Sequence, residues 1–279
     1  MLIAYQRVPI MSFQPALDFL DGAPLGLFGA GHLGRALARA LVDAGWPREQ
    51  LLICHGGSAN TTAALTAAGL GDRVVRAPEL FERAKLVFYL VRPQNVDAIA
   101  GLTMRPDALL VSFLAGIELQ RLPAGTVRAM MSDPASLAKK NGIAALYPEN
   151  GMIEQVLQAL GLRVTLLASE SATAAFTALG TCLPMAAAWC LGYDWPIDRA
   201  ALYAAGRRHD LAGYADIVDW ALEVCPKGVT RKALETYLTH AATPGGITEA
   251  VLNGLAAGDD IAAALERGVV RCEELAKGC

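Results

Sequence analysis

The sequence lacks the features of several protein classes. Its six cysteines form no C-x-x-C pair and none stands with a histidine at zinc-site spacing, which excludes a recognisable disulfide scaffold or zinc motif. The 24 Lys+Arg form no long basic run and are outnumbered by 27 Asp+Glu, which argues against nucleic acid as a partner. Residues 1–24 lack the apolar core of a signal peptide. We therefore expect reduced, buried thiols in a cytoplasmic protein.

Aromatic residues are also few, at 6%, although 54% of the 279 residues are hydrophobic. A chain of this length can bury a large core, and its alanine and leucine content suits helices packed against a sheet. Residues 171–193 carry no charge and are long enough to cross a bilayer. Pro184 interrupts this stretch and no Lys or Arg cluster flanks it, so we expect a buried helix and no membrane contact.

Short apolar runs alternate with helical patterns from residue 25 to about residue 167. Strands are predicted at residues 25–28, 51–54, 73–75, 86–91, 109–113, 127–130, 143–147 and 163–166. Helices are predicted between several of them, at residues 32–44, 59–68, 94–100 and 151–160. This alternation indicates an α/β domain with a parallel sheet that is covered on both faces.

The pattern after residue 169 is helical to the end of the chain. Helices are predicted at residues 171–191, 197–208, 214–224, 231–238, 247–257 and 260–276. We therefore divide the chain into an amino-terminal extension (1–24), an α/β domain (25–168) and an all-α domain (169–279). The uncharged helix is too apolar for a lone bundle to cover, which favours burial against a second copy of the chain, as a homodimer or higher homo-oligomer.

A glycine motif directly follows the first strand and opens an amphipathic helix. It reads Gly29-Ala30-Gly31-His32-Leu33-Gly34. Gly29 suits a tight turn, Gly31 lets the backbone approach a pyrophosphate, and Gly34 allows close contact between helix and strand. The helix N-terminus then offers free N–H groups to the anion. The motif predicts a Rossmann dinucleotide-binding domain.

The second strand ends without the carboxylate that would bind the ribose 2′-hydroxyl of NAD. It runs instead into His55-Gly56-Gly57-Ser58-Ala59-Asn60. Without a carboxylate a 2′-phosphate is not repelled, and Gly56, Ser58 and Asn60 offer donors to it. The sequence therefore favours NADP, but because the loop has no Lys or Arg it leaves NAD open. His55 either contributes to binding the 2′-phosphate or is a solvated loop histidine.

Three further segments complete the candidate site. The sequences Val91-Arg92-Pro93 and Ala115-Gly116 follow the strands at 86–91 and 109–113, where an open α/β sheet binds its ligand. In the second domain, Thr243-Pro244-Gly245-Gly246-Ile247-Thr248 precedes an apolar helix. Thr243 suits a helix N-cap with Pro244 at the first helical position. The two glycines fit either an anion site at a helix N-terminus or a simple cap.

These motifs together resemble the Δ1-pyrroline-5-carboxylate reductase family over about residues 25 to 277. The resemblance rests on Gly29 to Gly31, Val91 to Pro93, Val111-Ser112, Ala115 to Ile117, Arg128, Met130, Pro134, and Thr243 to Gly246 with Thr248. It implies a Rossmann domain and a helical dimerisation domain, with NAD(P)H delivering hydride to the C=N bond of a small cyclic imine acid. It places Thr248 near the imine nitrogen, and Thr243, Gly245 and Gly246 at the substrate carboxylate; Thr181 is a third candidate catalytic threonine.

Two segments depart from the family pattern. Met131-Ser132-Asp133 and Gly180-Thr181-Cys182-Leu183-Pro184-Met185 replace segments that line nicotinamide and substrate in the family. Asp133 adds a carboxylate near the hydride, and Leu183 and Met185 add bulk. A changed imine substrate, a carbonyl substrate as in 3-hydroxyacid dehydrogenases, and a cofactor-binding protein without catalysis are the alternatives. The carbonyl alternative lacks its G-x-x-x-K lysine in the first half of the helical domain.

Overall fold

A seven-stranded sheet forms the first domain. The computed structural model describes residues 12–277. The strands are β1 (Leu25–Phe28), β2 (Leu51–Cys54), β3 (Leu86–Tyr89), β4 (Leu109–Ser112), β5 (Val127–Met131), β6 (Gly142–Tyr147) and β7 (Leu162–Leu166). Their order in the sheet is β2-β1-β3-β4-β5-β6-β7. β1 to β5 pair in parallel, and β1, β2 and β3 are buried along their length, so the predicted α/β class is confirmed.

The prediction of a wholly parallel sheet is wrong at β6. This strand runs antiparallel to β5, with Arg128 opposite Tyr147 and Met131 opposite Ala144. Residues 132–141, with helix α5 (Ala135–Lys139), connect the two strands. A parallel crossover needs about a dozen residues or more, so this short connection returns the chain in the opposite direction. β6 therefore starts at the edge of the sheet where β5 ends.

Helices cover both faces of the sheet in the first domain. Besides α5 they are α1 (Gln14–Leu20), α2 (His32–Asp43), α3 (Ala59–Ala67), α4 (Ala77–Arg83) and α6 (Gly151–Ala159). The apolar stripe of α2 buries Leu37 and Leu41 completely, as its spacing predicts. α4 packs against β1 and β2, where Leu80 and Phe81 are fully buried.

Two predicted elements take a different form. Residues 73–75 make a single parallel bridge, Ile53 to Val74, because Gly71–Arg73 closes into a 3₁₀ turn. The predicted helix at 94–100 is a 3₁₀ segment, Pro93–Ile99, broken at Asn95 by φ −107° and ψ 23°. The Tyr89 hydroxyl donates to the Val96 carbonyl at 2.6 Å, which ties this segment to β3.

Part of the predicted amino-terminal extension packs into the first domain. Phe13 meets the Trp46 ring edge to face with ring centroids 5.1 Å apart, and Ala16 and Leu20 of α1 are buried. α1 rests on α6. Residues 1–11 of the predicted extension lie outside the described residues, as does Cys279.

The second domain is helical and packs on the β5–β6 part of the sheet. Its helices are α7 (Ala172–Ala175), α8 (Leu183–Gly192), α9 (Arg199–Arg208), α10 (Tyr214–Val224), α11 (Arg231–Ala241), α12 (Ile247–Ala256) and α13 (Ile261–Lys277). Met130, Ile143 and Ala145 of the sheet belong to the same buried cluster as Phe176 and Leu179. The two parts of the chain therefore share a hydrophobic contact.

The uncharged stretch is not the single helix that we predicted. A π-helical turn, Phe176–Thr181, separates α7 from α8. Pro184 has no N–H, so it cannot bond the Gly180 carbonyl as an α-helix requires, and the turn widens ahead of it. The Tyr214 hydroxyl donates to the neighbouring Leu179 carbonyl at 2.9 Å.

The same stretch is the one candidate for a membrane span among the described residues. Ala172–Gly192 is 21 residues long with a mean hydropathy of 1.5, and 72% of its most apolar window is buried within the fold. Length and composition alone do not separate a span from a core helix. The burial is that of a core helix, as predicted. It is provided within one chain, so the expectation that a lone bundle could not cover this stretch is wrong.

Candidate functional site

The predicted cofactor-binding residues gather at one edge of the sheet. Phe28 at the end of β1 pairs with Cys54 and with Tyr89, and Tyr89 pairs with Ser112. These strands therefore end level with one another. The loops that leave this edge carry Gly29 to Gly34, His55 to Asn60, Val91 to Pro93, and Ala115 with Gly116. Ligands of open α/β sheets bind outside the carboxyl ends of the strands, which is where these loops lie.

The glycine motif has the geometry that a pyrophosphate requires. Gly29 has φ +115°, and a Cβ atom there would lie 2.6 Å from the Leu90 carbonyl carbon. A Cβ atom on Gly34 would collide with the Gly29 carbonyl oxygen, whereas one on Gly31 would meet nothing within 4 Å. α2 begins at His32 with Gly31 as its N-cap, and no side chain caps it. The open space and the uncapped N–H groups fit a dinucleotide phosphate.

The side chains of this motif differ in exposure. His32 is exposed and Leu33 is half-buried, while Gly34 is buried beneath them. The Gly29 turn rests on the backbone of Leu90 and Val91, since a Cβ atom on Gly29 would lie 2.8 Å from the Val91 nitrogen. The structure thus brings the first and third loops of the edge into direct contact.

The loop after β2 is held by its histidine. His55 Nδ1 accepts the Gly57 N–H at 3.1 Å, and Gly57 has φ +81°. Ser58 is the N-cap of α3, but its hydroxyl makes no capping hydrogen bond. Gly56, Ser58 and Asn60 are exposed, so their polar groups remain available to a ligand.

An exposed arginine that the sequence analysis missed, Arg76, follows a segment that pairs with β2. Val74 pairs in parallel with Ile53 of β2, and the Val75 N–H donates to the Ile53 carbonyl at 2.9 Å. The chain therefore reaches the exposed Arg76 while running beside β2 toward the carboxyl edge. α3 separates Arg76 from the loop in sequence. A basic residue directly after the predicted strand at residues 73–75 is the signal that could have found it.

The loop after β4 borders the helical domain, and the loop after β3 lies beside the glycine turn. Arg92 is exposed, whereas Val91, Pro93 and Ala115 are half-buried. Gly116 has φ +72°, and a Cβ atom there would lie 3.4 Å from the backbone nitrogen of Ala276 in α13. The last helix of the chain therefore packs against the carboxyl edge of β4.

The predicted N-cap at Thr243 is wrong. α12 begins at Ile247 with Gly246 as its N-cap. The Gly246 N–H donates to the Thr243 carbonyl at 2.8 Å, and Gly245 has φ +70°. Proline followed by a glycine with positive φ is typical of a type II β-turn. The left-handed Gly245 cannot belong to a right-handed helix, so the helix starts after it.

Two side chains of the protein already form hydrogen bonds with the backbone of this turn. The Gly245 N–H donates to Glu249 Oε2 at 2.7 Å, and Arg271 Nε donates to the Gly245 carbonyl at 2.9 Å. Thr243 is exposed and Gly246 is half-buried. A substrate carboxylate bound to the Gly245 N–H would have to displace the Glu249 carboxylate.

Of the remaining two threonines, Thr181 ends the π-helical turn and Thr248 contacts Cys182, which follows it. Thr181 donates its hydroxyl proton to the Thr177 carbonyl at 2.6 Å. Thr248 Oγ1 lies 3.5 Å from Cys182 Sγ. Burial raises the pKa of the Cys182 thiol, so Thr248 faces a neutral thiol at neutral pH.

The two segments that depart from the family pattern line one cavity. Its volume is about 210 Å³ and its walls include Ser132, Asp133, Thr181, Pro184 and Met185. β5 runs parallel to β4 and past the level of Ser112, so the segment after β5 that lines this cavity leaves the sheet at the same edge as the glycine turn.

Other walls of the cavity come from residues that the sequence analysis did not consider. They include Lys139, Trp220 and Tyr237. Trp220 Nε1 donates to the Asn141 carbonyl at 2.5 Å and so ties α10 to the start of β6. Burial, and then the negative charge of Asp133, raise the pKa of Tyr237 to about 12. The Tyr237 hydroxyl therefore keeps its proton at neutral pH.

The fold and the glycine turn define a Rossmann nucleotide-binding domain joined to a helical domain. Residues 24–116 match the model of a family described as NADP oxidoreductase, coenzyme F420-dependent. No curated protein sequence matches the chain.

Several solved structures have the same fold over most of the chain. A pyrroline-5-carboxylate reductase from Streptococcus pyogenes is 17% identical with a TM-score of 0.56, covering 92% of this chain and 99% of that chain. Those from Coxiella burnetii (16%, TM-score 0.51) and, with NADP bound, Plasmodium falciparum (17%, TM-score 0.51) each cover 92% of this chain and 98% of theirs. The fold expected from the resemblance is confirmed, at low sequence identity.

Proposed function

We propose that the protein is an NAD(P)H-dependent reductase of a cyclic imine acid, which converts Δ1-pyrroline-5-carboxylate to proline or acts on a close analogue. The observation that carries the proposal is that the glycine turn and the segment after β5, which lines a small cavity with Thr181, leave the sheet at one edge. The similarity to solved pyrroline-5-carboxylate reductases supports the choice of reaction.

The residues at this edge suit hydride transfer to a C=N bond. A nicotinamide cofactor would supply the hydride when bound. Gly29, Gly31 and the start of α2 would hold its pyrophosphate, and Ala115 with Gly116 would let it pass over β4. A protonated imine already carries the positive charge that accepts hydride, so the protein's main task is to bind and orient two molecules.

A turnover screen tests this function. We expect oxidation of NADPH or NADH with five- or six-membered cyclic imine acids, followed by absorbance at the reduced nicotinamide band. Tight cofactor binding without oxidation by any of these imines would reject the proposal in favour of a non-catalytic protein. Oxidation of 3-hydroxy acids with NADP or NAD instead would support a carbonyl substrate.

We further propose a preference for NADP, with Arg76 near its 2′-phosphate. An arginine close to the end of β2 is the usual partner of this phosphate. We expect Arg76→Ala to weaken NADPH binding by about tenfold, or about 1.4 kcal/mol, and to leave NADH binding within about twofold. Arg83→Ala, at the other end of α4, is the matched control and should change neither affinity. Equal losses for both cofactors in Arg76→Ala would contradict this role.

We assign Thr248 to the substrate side of the reaction. Its half-buried hydroxyl lies beside Cys182, and Cys182 directly follows the cavity residue Thr181 in the chain. We expect Thr248→Ala to lower kcat/KM for the imine by about tenfold, because one hydrogen bond of about 1.4 kcal/mol is lost in the transition state. The Kd for NADPH should not change. Thr236→Ala, whose hydroxyl bonds the Lys232 carbonyl at 2.9 Å, should behave as wild type; an unaltered rate in Thr248→Ala would refute the assignment.

A homodimer is the assembly that we propose. A groove of about 990 Å³ lies between α9, α12 and α13, lined by small residues such as Ala204, Ala250 and Ala263. Val270 on its wall is 55% exposed. Small side chains allow a second helix to approach closely, and light scattering should give about twice the chain mass of 29.4 kDa.

We also propose a cytoplasmic location. The five described cysteines are free and buried, which suits a reducing compartment. Fractionation of cells that express the tagged chain should recover it with cytoplasmic markers; recovery with membranes would contradict the proposal.

A further inference from the structure

One carboxylate oxygen connects three separate parts of the chain. Glu170 Oε1 accepts the Leu119 N–H at 2.6 Å and an N–H of Arg128 Nη1 at 2.9 Å. Leu119 follows β4, Arg128 lies in β5, and Glu170 lies between β7 and α7, where the helical domain begins. The oxygen therefore joins the segment after β4 both to the sheet and to the first residues of the helical domain.

The segment that this oxygen holds carries two of the predicted cofactor residues. Ala115 and Gly116 form a turn just after β4, and Gly116 has φ +72°. Before the turn, the Phe113 N–H donates to the Tyr89 carbonyl of β3 at 3.0 Å, which anchors the chain to the sheet. Leu119 lies three residues past Gly116. A hydrogen bond to a different part of the protein therefore holds the chain on each side of the turn.

The turn and the ion pair border one cavity. Its volume is about 410 Å³, and its walls include Gly116, Arg128, Glu170 and, from α13, Ala276. Arg128 is only 4% exposed and pairs with the last residue of β4, so it lies level with the carboxyl end of that strand. The contact between Arg128 and Glu170 is thus made beside a predicted cofactor residue, within the interface between the two domains.

We propose that Glu170 is a positioning residue for hydride transfer, because by holding Leu119 it sets the place of the Ala115–Gly116 turn relative to the helical domain. This inference rests on the proposed function, in which the cofactor passes over this turn and Thr248 of the helical domain serves the substrate. Reacting atoms must lie about 3–3.5 Å apart, and a displacement of about 1 Å can cost about a hundredfold in rate. A bond that fixes the turn against the helical domain limits such displacements.

Removal of the Leu119 N–H tests this role. Glu118 has φ −78° and ψ 152°, the extended conformation that suits a residue before proline. Leu119 is the first residue of a 3₁₀ turn, Leu119–Arg121, where proline is tolerated. We expect Leu119→Pro to lower kcat for the imine by about tenfold. The Kd for NADPH should stay within about twofold, because the glycine turn supplies the phosphate contacts.

Three matched variants separate this bond from packing, charge and stability. Leu119→Ala keeps the N–H, and Glu170→Gln keeps an oxygen that accepts it, so kcat should fall by less than about threefold in each when measured well below the Tm. Glu273→Gln removes an exposed carboxylate from the wall of the same cavity and should behave as wild type. We therefore expect kcat to follow the hydrogen bond of Leu119 and not the Tm of the variant.

Hydrogen exchange tests the contact without turnover. The Leu119 amide should be protected in the wild type and in Glu170→Gln, and should exchange at least about tenfold faster in Glu170→Ala, which lacks an acceptor. Amides of β1 serve as the reference for global unfolding. Equal exchange of the Leu119 amide in all three proteins would overturn the proposal. So would a wild-type kcat in Leu119→Pro, or an equal loss in Leu119→Ala or Glu170→Gln.

A wild type that reduces no imine would reject the proposed function, and the fluorescence of bound NADPH then tests the position of the turn. The emission of the reduced nicotinamide depends on its surroundings. We expect it to change in Leu119→Pro and to be the same in Leu119→Ala and the wild type. Equal emission in all three would overturn the role of Glu170 independently of the reaction.

Discussion

Replacing Gly31 with glutamate should abolish cofactor binding and leave the fold intact. A Cβ atom at Gly31 meets nothing within 4 Å, so the protein has room for a side chain there. That room lies at the uncapped start of α2, where the pyrophosphate is expected, and a carboxylate would fill it with negative charge. We expect the Kd for NADPH, measured by calorimetry, to rise at least about a hundredfold, or about 2.7 kcal/mol.

The chain offers a close control for this change. Gly151 also begins a helix, α6, and a Cβ atom there meets nothing within 4 Å. α6 follows the antiparallel β6, so it starts at the opposite edge of the sheet. Gly151→Glu should keep wild-type cofactor affinity, because it adds the same charge far from the site. If Gly31→Glu still bound the cofactor, the glycine motif would not be its binding site.

Replacing Glu170 with glutamine, which removes its negative charge, should lower the stability of the folded protein. Arg128 is only 4% exposed, and its guanidinium lies 2.9 Å from Glu170 Oε1. The same oxygen accepts the Leu119 N–H at 2.6 Å, so one carboxylate joins β5 to the segment after β4. Arg128 Nε has no hydrogen-bond partner among the described residues. The buried guanidinium therefore depends on Glu170 for its neutralisation.

The expected size follows from the environment of the pair. Leaving a buried charge without its partner costs about 3–5 kcal/mol, and the partial exposure of Glu170 reduces this to about 2 kcal/mol for Glu170→Gln. That loss corresponds to a decrease in Tm of roughly 4–8 °C, measured by thermal unfolding. Glu118→Gln, at an exposed position, should unfold at the wild-type temperature.

A double variant separates charge from packing. Arg128→Met with Glu170→Gln should recover much of the lost stability, because both members of the pair become neutral. A wild-type Tm in Glu170→Gln would show that the guanidinium is neutralised by other means. A double variant less stable than Glu170→Gln would show that the stem of Arg128 contributes more than its charge.

The nucleotide-binding end of the fold was predictable because its requirements are local. Gly29, Gly31 and Gly34 each meet a steric need within one strand, one turn and one helix, so their spacing is visible in the sequence. The apolar strands and the periodic helix α2 follow from the same short-range rules.

The predictions that were wrong concern the direction in which a strand pairs and the positions at which helices begin or are interrupted. The direction of β6 depends on which strand it meets after a short connection, and periodicity does not report strand direction. The π-helical turn arises from Pro184 and from Tyr214, which donates to Leu179 from another helix. α12 begins at Ile247 and not directly after Thr243, because the left-handed conformation of Gly245 cannot belong to a right-handed helix.

The sequence by itself determined an α/β domain with a glycine turn for a dinucleotide, followed by a helical domain, because these depend on residue spacing along the chain. Only the tertiary structure placed Lys139 and Tyr237 with Asp133 around one cavity, and Arg76 beside β2. These side chains meet through packing between separate elements. Sequence spacing does not report which surfaces come together, so this cavity became visible only in three dimensions.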